Sequence, residues 1–332
     1  MRKFMKRSAG IAVAAAAALA LAACSGGAGG GQGDSEVPDD DATYVAMVSK
    51  GFQHQFWQAV QKGAEEKAEE LGVEITYEGP AAETQIDDQL NMLRTAIDRK
   101  PDALAFAALD PEACVPLYEE AESAGIPLVE FDAGCTASDY SSSLAATDNN
   151  AAGALAADHM AELIGEEGEV GIVSHSQINS TGVDRRDGFV DQMEAEYPDI
   201  EIVDIQYGDG DHLKSADIAK AMLSAHPDLK GLYGTNEGSA IGIVNAATEL
   251  GLSGDDVTII GFDSGSAQIE AIKNGTMAGA VTQDPMAIGA LTVQSAFDVI
   301  NGDTPEEFID TGSYWFDADN IDSEEIQEKI YE

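Results

Sequence analysis

From residue 43 onward, short apolar runs alternate with stretches of helical periodicity almost to the end of the chain, and this alternation restricts the fold more than any other feature. Strands read at 44–48, 73–77, 103–107, 127–131, 143–146, 170–173, 201–205, 231–235, 257–261 and 278–282. Amphipathic helices read near 56–71, 84–99, 112–124, 149–164, 184–196, 213–225, 237–250, 265–273 and 285–300. Strand–helix alternation of this kind predicts an α/β protein with parallel sheets covered on both faces by helices. Ten such strands are more than one compact sheet of this type holds, so the pattern predicts two similar doubly wound lobes. The first lobe is expected over 42–145 plus about 284–312, and the second over 146–283 plus about 313–332. Chain crossings between them would form a hinge and leave a cleft.

In open α/β sheets, ligands sit at the carboxyl ends of the strands, and this chain places its chemistry there. The turn after the first strand carries Lys50, His54, Phe56 and Trp57, more side-chain chemistry than a plain connection needs. Asp132, Asn236, Asp263 and Gln283 each follow a later strand. Carboxylates and amides bond hydroxyl groups well, and aromatic faces cover apolar ring surfaces. The same positions suit helix capping, which is the competing role for Asp132, Asn236 and Asp263. Phe56 and Trp57 can equally pack at a helix start. Lys50 stands between a cleft role and a solvated turn, and His54 reads as a polar rim residue. His175 and Asn179, in the loop after strand 170–173, are candidates for lining the second lobe. Asp110-Pro111-Glu112 and Asp284-Pro285 read as helix starts.

Phosphate-binding loops, dinucleotide fingerprints, nucleophile elbows and zinc spacings are missing from the sequence, and the five histidines show no ligand spacing. No enzyme, cofactor or metal is therefore expected. The whole chain carries 17 basic and 61 acidic residues, a formal charge of −44. Such a field repels nucleic acid and anionic headgroups.

The first residues form a secretory leader: a basic start (Arg2, Lys3, Lys6, Arg7) and an apolar core from Ile11 to Ala23, too short to span as a mature helix. "LAAC" at Leu21 to Cys24 resembles the lipobox of bacterial lipoproteins. That resemblance implies cleavage after residue 23, lipidation of Cys24 and a flexible tether over 24–41. Cleavage leaves 13 basic residues against 61 acidic, a charge of −48. Cys114 and Cys135 then remain, each following a strand at one edge of the same sheet. In an exported protein they are expected to pair; two free buried cysteines are the alternative.

Several further pieces occur in a telling order: "FW" after the first strand, "GIPLVEFD" at 125–132, "ATDNNAAG" at 146–153, "RRDGF" at 185–189, "AHPDLKGLYGTNEGSAIG" at 225–242, "IIGFDSG" at 259–265 and "VTQDP" at 281–285. Together they resemble the periplasmic sugar-binding proteins of ABC transporters, in the ribose-binding-protein-like cluster with the type I fold. The resemblance implies an extracytoplasmic, lipid-anchored monomer that captures a sugar or polyol and delivers it to an ABC permease. It implies ligand contacts from Phe56, Trp57 and Asp132 in the first lobe, and from Asn236, Asp263 and Gln283, with Phe262 beside them, in the second. Two departures argue against ribose itself. Ala133 follows Asp132 where ribose-type proteins have arginine, and their second-lobe ligand arginine falls at Val183, while Arg185 matches a more structural arginine expected to hold its loop by pairing with an acid, with ligand contact as its alternative role. Lys50, "TYEGP" at 76–80 and the cysteine pair resemble the autoinducer-2 and rhamnose receptor branch, in which a lysine is a ligand. A signal receptor or a chemoreceptor-coupled sugar sensor is therefore the alternative role. DNA-binding repressors of this fold begin with a helix-turn-helix, a place the leader and tether occupy here.

Overall fold

A computed structural model of the chain describes residues 42–136 and 138–331. The leader, Cys24 and the tether expected from the sequence lie outside the described residues. The elements run in order as β1 (Tyr44–Val48), α1 (Gln55–Leu71), β2 (Glu74–Glu78), α2 (Ile86–Asp98), β3 (Ala103–Phe106), α3 (Val115–Ala124), β4 (Leu128–Phe131), β5 (Ser141–Ala146) and α4 (Asn149–Ile164). They continue with β6 (Gly168–Ser174), α5 (Ser180–Glu196), β7 (Ile200–Tyr207), α6 (His212–Ala225), β8 (Leu229–Gly234), α7 (Glu237–Leu250), β9 (Thr258–Phe262) and α8 (Ser266–Lys273). The chain ends with β10 (Gly279–Gln283), α9 (Pro285–Ile300), β11 (Phe308–Asp310), β12 (Ser313–Asp317) and α10 (Glu324–Gln327).

Two six-stranded sheets result, ordered β11-β5-β4-β3-β1-β2 and β12-β10-β9-β8-β6-β7. The two orders are equivalent position by position, so β4 and β9 occupy matching places. All pairings are parallel except β10 with β12, which run antiparallel. The chain passes from the first sheet to the second after β5, returns after β10, and crosses again between β11 and β12. Neither β11 nor β12 stands out from the sequence as a strand, because each is short and half exposed at a sheet edge.

Each sheet carries an apolar layer on both faces, as buried parallel strands require. Val45, Met47 and Val129 meet Val60 of α1 and Ile288, Val293 and Ala296 of α9, so α9 packs in the first lobe. Gly63 and Gly289 let α1 and α9 approach, since a Cβ on Gly63 would strike the Met286 carbonyl and one on Gly289 the Val60 carbonyl. The opposite face of that sheet holds Ala46, Leu104, Leu93 and Tyr118. In the second lobe Phe189, Tyr233, Phe262 and Met160 cover one face, and Leu232, Ile243, Ile259 and Phe316 the other.

Cys114 and Cys135 form a disulfide with Cα atoms 6.2 Å apart, as expected. One helix start shifts. Asp110 accepts N–H bonds from Glu112 and Ala113, but this closes a turn, and α3 begins only at Val115. Asp284 does cap α9, accepting from Ala287 N at 2.9 Å.

Candidate functional site

The carboxyl ends of both sheets face one another across a narrow cavity of about 20 Å³. The first lobe contributes Lys50, His54, Phe56 and Trp57 from the β1–α1 turn, together with Asp132 after β4. The second contributes Arg185 from α5, Asn236 after β8, Asp263 after β9 and Gln283 at the end of β10. Phe262 is not among the cavity walls. It is the last residue of β9 and lies fully buried with the Arg185 guanidinium carbon 3.7 Å from its ring centre. Its place is under the site.

Asp132 and Asp263 are the matching residues of the two lobes, each following a phenylalanine at the end of the third strand in its sheet. Both adopt left-handed backbone conformations, with φ of 60° and 77°. Non-glycine residues rarely take such angles, and where they do the surrounding structure fixes them for a purpose. Asp263 Oδ1 accepts from Gln283 Nε2 at 2.7 Å, and Oδ2 accepts from Glu237 N at 3.0 Å. Gln283 Oε1 is buried without a partner.

Asn236 fills both roles open to it. Its Oδ1 caps α7 by accepting from Ser239 N at 2.9 Å, which leaves its amide N–H groups to the cavity. Arg185 is held by bonds from Nε to Asn149 Oδ1 at 2.7 Å and from Nη1 to the Thr235 carbonyl at 3.0 Å. Its nearest acid, Asp263, stands at 4.0 Å. An amide and a carbonyl thus fix this arginine, with the expected acid, Asp263, at the outer limit of an ion pair.

Lys50 is 3 % exposed and not solvated. Its ammonium reaches Asp132 Oδ2 at 2.7 Å, Asn179 Oδ1 at 3.2 Å and Thr181 Oγ1 at 3.1 Å. These contacts tie the first lobe to the second, and Asp132 Oδ2, though ion-paired, accepts no hydrogen bond of good geometry. Burial raises the Asp132 carboxyl above its ordinary range, against the pull of Lys50. His54 is buried too, rather than at a rim, with Nδ1 unpartnered. Phe56 and Trp57 are both buried and both reach the wall, meeting edge to face with ring centres 4.9 Å apart.

Three further residues complete the wall: Glu83, His175 and Thr181. His175 bonds Thr235 Oγ1 through Nδ1 at 2.8 Å, and burial holds its ring well below the ordinary histidine range, hence neutral. Asn179 accepts from Thr181 N as the cap of α5 and donates across the cleft to the Ala108 carbonyl at 2.8 Å. Glu83 has no counterpart among the strand-end residues singled out from the sequence. It lies in the loop after β2 and accepts from Trp57 Nε1 at 2.8 Å. The signal that could have found it is the loop's position, at the same carboxyl edge as the others.

A second set of ties crosses the lobes beside the cavity. Glu237 accepts from the backbone N–H groups of Gln55 at 3.2 Å and Phe56 at 3.3 Å, and Gln55 Oε1 accepts from Ser266 N at 2.8 Å. The arrangement is a narrow polar cleft with aromatic walls, whose side chains suit bonding a compact polyhydroxyl molecule from both lobes.

Comparison with known proteins agrees with this geometry. A sequence profile described as the periplasmic binding protein domain matches residues 45–304. The D-ribose/D-allose-binding protein of Pseudomonas aeruginosa is 29% identical over 269 residues, spanning 79% of this chain and 83% of that protein. The D-allose-binding periplasmic protein of Escherichia coli is 28% identical, over 77% of this chain and 84% of its own length. Among solved structures, an ABC transporter solute-binding protein from Agrobacterium vitis with bound D-fucose superposes with a TM-score of 0.84. It is 35% identical, over 87% of this chain and all (100%) of that one.

Proposed function

The chain belongs to the periplasmic binding protein family, and from that footing we propose that it captures a monosaccharide in the cavity between its lobes and delivers it to an ABC sugar permease. It is an extracytoplasmic solute-binding protein, and no helix among the described residues is long and apolar enough to cross a membrane. Lipidation of Cys24, with residues 24–41 as the tether of a monomer, would hold it at the membrane surface.

The observation that carries this reading is the convergence of Asp132, Asn236, Asp263 and Gln283 from both lobes on one chamber walled by Phe56 and Trp57. A ligand bonded to both lobes favours the closed state over the open one by its differential affinity, which is how binding becomes a signal to the permease. The relatives' names favour sugar import over a signal-receptor role: the Escherichia coli relative is named for D-allose, and a solute-binding protein from Agrobacterium radiobacter, of TM-score 0.84, was solved with D-arabinose. Lys50, the residue most suggestive of the receptor branch, already bonds Asn179 and Thr181 and pairs with Asp132 within the protein.

A thermal-shift screen of residues 25–332 against D-fucose, D-arabinose, D-allose, D-ribose and common hexoses tests the reading. A sugar at a hundredfold its dissociation constant should add about 2.7 kcal/mol of stability. No shift with any sugar would overturn it.

A further inference from the structure

Asp132 and Asp263 hold matching positions and share a left-handed backbone, yet the chain secures the two turns differently. Such angles persist in a residue with a side chain only where the surroundings fix them. On the near side both are held alike: Asp132 N donates to the Ala145 carbonyl at 2.9 Å, and Asp263 N to the Val281 carbonyl at 2.7 Å. The N–H that follows is where they part. In the first lobe Ala133 N turns back to the Phe131 carbonyl at 2.6 Å, closing the turn on itself. In the second lobe Ser264 N donates instead to the hydroxyl of Tyr331, 67 residues further along the chain, at 3.3 Å.

Tyr331 is buried, and both lobes fix its place. The segment before it belongs to the second lobe: Ile326 is buried in that lobe's core, and Ile330 packs against the same cluster. Lys329 Nζ reaches Asp284 Oδ2 at 2.6 Å, where the chain crosses from Gln283 into α9. The Tyr331 ring then enters the first-lobe core and meets the Phe56 ring edge to face, with centres 6.3 Å apart. Burial, with Asp263 and Glu237 adding to it, pushes the phenol well above its ordinary range, so the oxygen stays a neutral acceptor. Tyr331 does not itself line the cavity. Its ring backs a wall aromatic of one lobe, and its oxygen secures the turn behind a wall carboxylate of the other.

Resting on the reading of the cavity as a sugar site, we infer that Tyr331 is a positioning residue for that site, acting on Asp263 through the Ser264 N–H. Without the hydroxyl, a buried N–H directly after Asp263 loses its acceptor, and the turn regains one by rotating the Asp263–Ser264 peptide. That rotation draws Asp263 out of its left-handed conformation and its carboxylate away from Gln283 Nε2 and the Glu237 N–H. The carboxylate then meets a sugar hydroxyl in many orientations instead of one, and hydrogen bonds weaken steeply with misalignment. The first-lobe turn, closed within its own backbone, has no such dependence.

Calorimetric titration tests this with those of D-fucose, D-arabinose, D-allose, D-ribose and the common hexoses that bind the wild type. The variants are Tyr331→Phe, Asp263→Ala and the two combined, at sugar concentrations raised for the weaker binders. Tyr331→Phe keeps the ring against Phe56 and removes only the hydroxyl. It should weaken binding at least about fivefold, in line with a buried N–H left unpaired. In the Asp263→Ala background the same change should cost less than about twofold, because the group it positions is gone. Leu229→Ala, in the second-lobe core at the amino end of β8, lowers stability away from the site and should leave affinity within about twofold of the wild type. Unchanged affinity in Tyr331→Phe, or a loss of the same size with and without Asp263, overturns the role of Tyr331 and leaves the sugar reading standing. So does a loss in Leu229→Ala as large as that in Tyr331→Phe. If none of these sugars binds the wild type, the sugar reading fails and this inference with it.

Discussion

Replacing Glu237 by alanine removes the acceptor for two backbone N–H groups at the start of α1, both contributed by the opposite lobe. Glu237 is not part of the cavity wall, so the change leaves every ligand contact in place. A buried N–H without a partner costs about 1–3 kcal/mol, and loss of a helix N-terminal cap costs about 1 kcal/mol. At 3.2 and 3.3 Å these bonds are long, and burying the carboxylate has its own cost. The net loss to closure is therefore about 1–2 kcal/mol. Water satisfies the same groups when the lobes separate, so the whole loss falls on the closed state. Because sugar affinity contains the closure equilibrium, the dissociation constant should rise about five- to thirtyfold, by the same factor for every sugar and mainly through faster release.

The pH dependence of closure follows from the same residue. Burial, with Asp263 adding to it, raises the Glu237 carboxyl in the closed form above its ordinary value, while His54 opposes the shift. The closed form thus holds this proton more firmly than the open one. Closure is favoured below about pH 4.5, the ordinary glutamate range, and the advantage fades as pH rises through the raised value. Glu237→Gln should remove this component of the slope; the Asp132 component, raised in the same direction, should persist. Calorimetry and stopped-flow release on several sugars measure all of this. Unchanged affinity in Glu237→Ala, or a loss that differs from sugar to sugar, would refute the reasoning.

Two further predictions address the wall and the frame. Asp263→Ala takes away the acceptor of Gln283 Nε2 and a direct candidate for sugar hydroxyls, and should weaken binding at least about a hundredfold by calorimetry, a loss in keeping with charged hydrogen bonds. The circular dichroism spectrum should stay that of the wild type. Replacing Cys114 and Cys135 by serine opens a link between residues 21 apart in sequence and should lower stability by about 3 kcal/mol in urea unfolding.

The fold was legible because parallel strands buried on both faces read as apolar runs, and the strand ends then marked where polar residues meet. Asp132, Asn236, Asp263 and Gln283 were found this way, and all reach the cavity. Phe262 was placed by its neighbour's motif, whereas in the fold it is buried beneath Arg185, which takes the place at the cavity wall. Glu83 escaped because it lies well beyond the end of β2, in a loop whose residues near it carry no motif. Lys50 could not be resolved from sequence at all, since its burial depends on Asn179 and Thr181, 129 and 131 residues away. Likewise β11 and β12 owe their strand character to the sheet edges they extend, which local pattern does not carry.

A crystal structure of the protein with the sugar that gives the largest thermal shift tests the central claim most directly. The account predicts one sugar ring in the chamber, against Phe56 or Trp57, with hydroxyls bonded to Asp132 from the first lobe and to Asp263 and Asn236 from the second. A sugar held by one lobe only, or bound at the outer opening of the cleft beside Ile178 with the chamber unused, would contradict it.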